Sequence, residues 1–178
     1  QNLIKLCSAG FLQGFYNKPR VDWELLQQHS RGLICLSACL AGEVQQLLMH
    51  GNYEGARDCA LRYAALFGPE HYYLELQDHG IPEQKAVNEG LLRIHNETGI
   101  PLVCTNDAHY LRREDSAMHD VLLCIQTGKT LEDENRMRFQ GEEFYVKSGD
   151  EMAELFGKYP SGAGGDDLPT GDPGENPQ

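Results

Sequence analysis

Apolar residues recur along this chain in short blocks and in helical stripes, and their alternation predicts a series of strand, loop and helix units. Asn2 to Phe11 already has the pattern of a helix interior. Asp22 is placed to cap a helix from Trp23 to about Gln28, and Gly32 to Leu36 reads as a short apolar strand. A loop with Ser37, Ala38 and Cys39 leads into a helix from about Glu43 to Met49. A second helical pattern covers Tyr53 to Phe67, with Ala56, Ala60, Leu61, Ala64 and Phe67 at helical spacing. His71 to Gln77 follows as a strand. In it Tyr73 and Glu75 alternate with Tyr72, Leu74 and Leu76, which predicts one buried face and one functional or wet face. Pro82 suits the first turn of a helix to about Asn96, whose stripe is Val87, Leu91 and Ile94. Leu102 to Thr105 is the next strand. Arg113 to Ile125 reads as a helix with Met118, Val121, Leu122 and Ile125 inward and Gly128 at its end. Phe144 to Lys147 is a last strand-like run, and Ser148 with Glu151 forms a capping box that opens a helix to Phe156.

This order of units predicts an α/β protein with parallel strands, either a barrel or a doubly wound sheet. Both architectures place chemistry at the C-terminal ends of the strands. The three best strands end in Leu36 to Cys39, Leu76 to His79 and Thr105 to His109, so each delivers polar or thiol groups to one rim. Asp107 and His109 are the most informative of these. In an extended segment, side chains two residues apart share a face, so a carboxylate and an imidazole can reach one point. They are two donors of the kind Zn²⁺, Mn²⁺ or Fe accepts. The same pair also fits a strand-end turn, with Asp107 capping backbone amides.

Composition narrows the picture. A 40% apolar content over 178 residues supports a real core in one domain of ordinary size. No stretch approaches the roughly 20 apolar residues of a membrane span, and no signal sequence opens the chain, so a cytoplasmic protein is expected. A formal charge of −12 argues against a large phosphate-gripping surface. The six cysteines, at 7, 35, 39, 59, 104 and 124, have no C-x-x-C spacing and are expected to be reduced. Most should be small core residues, Cys104 among them. From Gly157 to Gln178 the composition shifts: ten of 22 residues are Gly or Pro, with four acidic residues against one lysine. That stretch lacks an apolar period and is expected to be disordered, leaving residues 1–156 as the structured part.

Five strings carry a family resemblance: Gly14 to Arg20, Leu36 to Val44, Tyr73 to Gln84, Thr105 to Tyr110, and His119 to Lys129. They resemble the PHP (polymerase and histidinol phosphatase) domain of bacterial DNA polymerase III alpha subunits. The resemblance runs from residue 2 to residue 156 in the family's order and spacing. Gln77 to Gly80 and Ile125 to Lys129 look like the polymerase branch rather than the histidinol phosphate phosphatase branch. The resemblance implies the C-terminal portion of a distorted (β/α)7 barrel whose rim holds a cluster of divalent transition metal ions, zinc first, manganese or iron otherwise. Family members that keep this site remove nucleotides from the 3′ end of DNA. By motif match Asp107 and His109 correspond to the last two ligands, with a catalytic role, and Cys39 falls where the family carries a Cys or His ligand. The other reading of Cys39 is a buried inert thiol. His79 matches a rim or supporting position behind the ligands, with direct ligation and a purely structural role as the other readings.

The family's first ligands lie in a His-x-His segment followed by a Glu and another His, and no such segment precedes Cys39 here. With Gln1 in place of a start methionine, the chain is expected to be a fragment. It would lack the polymerase core and be inactive alone. Two functions stay open for a complete family member: a metal-dependent 3′ to 5′ exonuclease acting in cis, or an inactive scaffold that stabilises the polymerase and docks a separate proofreading subunit. A free-standing PHP phosphoesterase is a third. The implied partners are DNA and the other subunits of the polymerase III holoenzyme, with no membrane.

Overall fold

A computed structural model describes residues 1–157 and 159. The elements in chain order are α1 (Asn2–Leu12), α2 (Trp23–His29), β1 (Cys35–Leu36), α3 (Glu43–Met49), α4 (Tyr53–Phe67), β2 (Tyr72–Leu76), α5 (Pro82–Thr98), β3 (Leu102–Cys104), a 3-10 turn (Arg113–Asp115), α6 (Ser116–Thr127) and α7 (Gly149–Phe156). The helix starts follow local chemistry. Asp22 accepts from the Leu25 amide at 2.8 Å and Asn52 from the Gly55 amide at 3.0 Å, each satisfying a donor the first helical turn leaves free. Pro82 opens α5, and Gly99 closes it in the left-handed region.

The three strands form one parallel sheet in the order β1-β2-β3, with Cys35 opposite Tyr72 and Leu74 opposite Leu102. Parallel neighbours require crossovers, which α3 with α4 and α5 supply. This mixed architecture agrees with the expected partial (β/α) barrel. The core lies between the sheet and these helices: Val44, Ala56, Ala60, Tyr72, Leu74, Leu76, Leu91 and Ile94 are buried, and Phe156 of α7 joins them. Among the described residues, no helix is long and apolar enough to cross a membrane.

Four expectations need correction. The α6 stripe does not face inward: Met118, Leu122 and Ile125 are 66%, 60% and 72% exposed, and the buried residues are Leu123 and Cys124. Helical periodicity reports that an apolar stripe exists, and a partner must still cover it. Phe144 to Lys147 forms no strand. It contributes one parallel bridge, Tyr110 to Tyr145, because only the Phe144 carbonyl and Val146 amide pair with the 109–111 backbone. The strand expected from Gly32 is shortened to two residues, since Gly32 at φ +75 still turns the chain away from α2. Of the six cysteines only Cys59 and Cys124 are buried, and Cys104 is half-buried at the end of an edge strand. Burial nonetheless pushes the Cys104 thiol up to about 11.

The expected disorder after Gly157 concerns residues that, apart from Gly157 and Tyr159, lie outside the described ones. The Tyr159 hydroxyl donates to Asp78 at 2.9 Å and accepts from Asn88 at 2.8 Å.

The capping box of α7 forms as read, and it makes a pH prediction. Glu151 accepts from the Tyr145 hydroxyl at 2.7 Å and from the Ser148 amide and hydroxyl at 2.8 and 2.9 Å. Tyr145 first, then Ser148, hold its carboxyl down to about 2, against 4.5 for a free one. A folded value below the unfolded value stabilises above the unfolded one and is lost as pH falls through the folded one. Glu151→Gln should therefore lower the melting temperature near neutral pH, with the gap closing between about 4.5 and about 2. Thermal melts that show equal melting at neutral pH would remove the role of the carboxylate's charge.

Candidate functional site

The parallel arrangement brings the C-terminal ends of β1, β2 and β3 to one rim, as the strand order requires. Asp107 and His109 meet there: Asp107 Oδ1 lies 3.4 Å from His109 Nε2, and both side chains are open to solvent. The route to this meeting differs from the sequence argument. β3 ends at Cys104, and Asp107 adopts a left-handed conformation at φ +46. The carboxylate reaches the imidazole through a kink rather than through the alternation of an extended strand. His109 is anchored by its amide, which donates to the Phe144 carbonyl at 2.7 Å. Its ring lies edge-on to Phe139 at 4.5 Å and 5.5 Å from the ring of His119. Those rings wall one side of the pair, Phe139 with apolar surface.

His79 sits behind the pair, buried against the face of Phe144 at 3.9 Å. Its Nε2 donates to the Asn106 carbonyl at 2.7 Å, and its Nδ1 accepts from Gln84 Nε2 at 2.8 Å. Gln84 Oε1 in turn accepts from the His79 amide at 2.7 Å. These partners set the tautomer with the proton on Nε2, and both ring nitrogens are engaged with protein. Burial lowers the His79 pKa, opposed by the bond to Asn106. The carbonyl it holds belongs to the residue just before Asp107. The Asn106 side chain donates to the Glu143 and Tyr145 carbonyls and accepts from Lys147 Nζ at 3.1 Å, tying the 143–147 segment to the strand end.

Cys39 is half-buried in the loop after β1, where its carbonyl accepts from the Gly42 amide at 2.8 Å. No group of three or more His, Cys, Asp or Glu side chains converges to hold a metal ion among the described residues. Cys39 is therefore not brought into one cluster with Asp107 and His109. The carboxylate and imidazole of that pair fit two positions of a transition metal's shell, and the described residues add no third.

Sequence reasoning gave no role to His119, Asn106 or Gln84. His119 lies on α6, and its pKa is lowered by burial and then by His109. No spacing in the sequence announces its approach to His109 across the loop, and the same holds for the amide pair around His79.

Residues 1–79 match the PHP domain family. Over 160 residues, 90% of this chain, the sequence is 51% identical to the DNA polymerase III subunit alpha of Treponema pallidum and covers 14% of that protein. The subunit of the same name from Deinococcus radiodurans is 52% identical over 152 residues, 85% of this chain and 11% of the relative. That from Thermus aquaticus is 44% identical over 155 residues, 87% of this chain and 13% of the relative. The chain thus spans between 11% and 14% of the length of these three relatives. Residues 1–79 carry a PHP domain match, and homology to the bacterial DNA polymerase III alpha subunit extends over most of the chain.

Proposed function

We propose that this chain supplies part of a metal-dependent rim that hydrolyses phosphodiesters at the 3′ end of DNA, within a replicative DNA-polymerising polypeptide of the relatives' length. The approach of Asp107 Oδ1 to His109 Nε2, 3.4 Å apart at the mouth of parallel strands, is the observation that carries it. Asp107 and His109 act as ligands on one side and Cys39 as a ligand on the other, with further donors from outside the described residues. Zinc suits this donor set, with manganese or iron next. A bound metal would lower the pKa of water toward neutrality and offset the charge a phosphate gains in the transition state. His79 is the supporting residue: its neutral imidazole grips the Asn106 carbonyl and so fixes the backbone that presents Asp107. Phe139 and Phe144 keep bulk water from the inner side of His109. The partners of this reading are DNA and the other subunits of the polymerase III holoenzyme.

A second reading, an inactive scaffold that stabilises the polymerase and docks a proofreading subunit, is favoured by the absence of a three-residue ligand group among the described residues. Metal analysis separates the two. A polypeptide of the relatives' length carrying these residues should copurify with zinc or another transition metal, and Asp107→Asn should reduce the content. Identical metal content in the two proteins would sink the ligand assignment, and none in either would leave the scaffold.

A further inference from the structure

The strand pattern put Glu75 on the functional or wet face of β2, and at 9% exposed it is not wet. An ionised carboxylate accepts hydrogen bonds and cannot donate them. The bonds of this one reach two other strand ends. Oε2 accepts from the Ala38 amide at 3.1 Å, next to Cys39. Oε1 accepts from the Thr105 hydroxyl, two residues before Asp107, and from Gln77 Nε2 at 3.0 Å. Both loops it holds contain a non-glycine residue in the left-handed region, Ala38 at φ +70 and Asp107 at φ +46. Such residues persist only where their surroundings over-determine them. The β1 loop is fixed from the other side as well. The Ser37 hydroxyl accepts from the Glu75 amide at 2.8 Å and from Gln45 Nε2 at 2.7 Å. A Cβ on Gly42 would lie 2.2 Å from the Ser37 carbonyl oxygen, so no side chain fits between this loop and the start of α3.

We infer that Glu75 is the positioning residue of the rim: one buried carboxylate on the central strand sets the Cys39 loop and the Asp107 loop against each other. What this coupling serves rests on the metal reading above, whereas the coupling itself does not. Hydrogen exchange followed by mass spectrometry, on the full-length polypeptide, tests it. Glu75→Gln keeps the shape but removes the negative charge that both loops bond to, and it turns an amide donor either toward the Ala38 amide or toward Thr105 and Gln77. It should speed exchange by roughly 10-fold or more in both the 37–40 and 104–109 segments, as loss of a charge-assisted hydrogen bond predicts, with the α5 interior unchanged. Thr105→Val should speed the 104–109 segment alone, and it remains informative if Glu75→Gln does not fold. Acceleration of one segment only by Glu75→Gln, equal acceleration of α5, or an unaffected 104–109 segment in Thr105→Val would overturn the proposal. Titration with zinc alone gives a second readout: Glu75→Gln should weaken binding by about 10–100-fold, the range for groups that orient ligands. Unchanged zinc affinity would remove the positioning role at the site. If the unsubstituted protein binds neither zinc, manganese nor iron, the metal reading falls, and the exchange rates still decide the coupling.

Discussion

Asp107→Asn, in a polypeptide of the relatives' length, should lower removal of nucleotides from a DNA 3′ end by more than about 100-fold while primer extension continues. Groups that merely orient ligands contribute 10–100-fold, so a direct ligand should exceed that range. The choice of Asn separates charge from backbone. Asp107 sits at φ +46, a region that Asn enters more readily than other residues with a side chain. The loop therefore keeps its kink, and His79 keeps its hold on the Asn106 carbonyl at 2.7 Å. What disappears is the negative charge 3.4 Å from His109 Nε2. Asp107→Ala loses both the charge and the conformational fit and should also lower stability. The measurement is cleavage of an end-labelled single strand with metal present and no proofreading subunit added, alongside extension of a primed template. Undiminished cleavage by Asp107→Asn would reject the catalytic role, and loss of extension as well would point to misfolding.

How much of this could be read beforehand depended on how local the cause was. The bounds of α3 and α4 agree closely with the sequence reading, because Gly42, Asn52 and Gly68 flank them. The stripe of Val87, Leu91 and Ile94 is buried as read, since α5 packs on the central strand and on α3 and α4. The convergence of three strand ends on one rim also follows from the order of elements alone. The details of the rim do not. Alternation put Glu75 on a functional or wet face, and it could not show which, because the Ala38 amide and the Thr105 hydroxyl that enclose the carboxylate lie far from it in sequence. The left-handed kink at Asp107 is compatible with the strand-end turn that the sequence left open, but Asp fits an extended strand end as well, so the sequence did not choose between them. The hold of Gln84 on His79 joins a helix to a strand end, and the approach of His119 to His109 joins α6 to a loop. Contacts of that kind exist only after the chain has folded.

Leu91 and Leu122 show the same limit in a form that can be weighed. Both lie on the apolar stripe of a helix, and periodicity treats them alike. In the structure Leu91 is fully buried in the core beneath the sheet, whereas Leu122 is 60% exposed on α6. Truncating a buried leucine removes its transfer free energy and leaves a cavity that close packing does not refill, at a cost of about 2–5 kcal/mol. Domains of this size are stable by only about 5–15 kcal/mol, so Leu91→Ala should remove a large share of the total. Leu122→Ala should stay within about 0.5 kcal/mol, as for surface positions generally. Urea unfolding followed by circular dichroism gives both values, and the midpoints decide if the slopes agree. A small loss at Leu91 would contradict the packing of α5 on β2. A loss at Leu122 as large as that at Leu91 would mean that the apolar face of α6 is covered in the folded protein, and that its helical stripe was a correct report of burial by a partner outside the described residues.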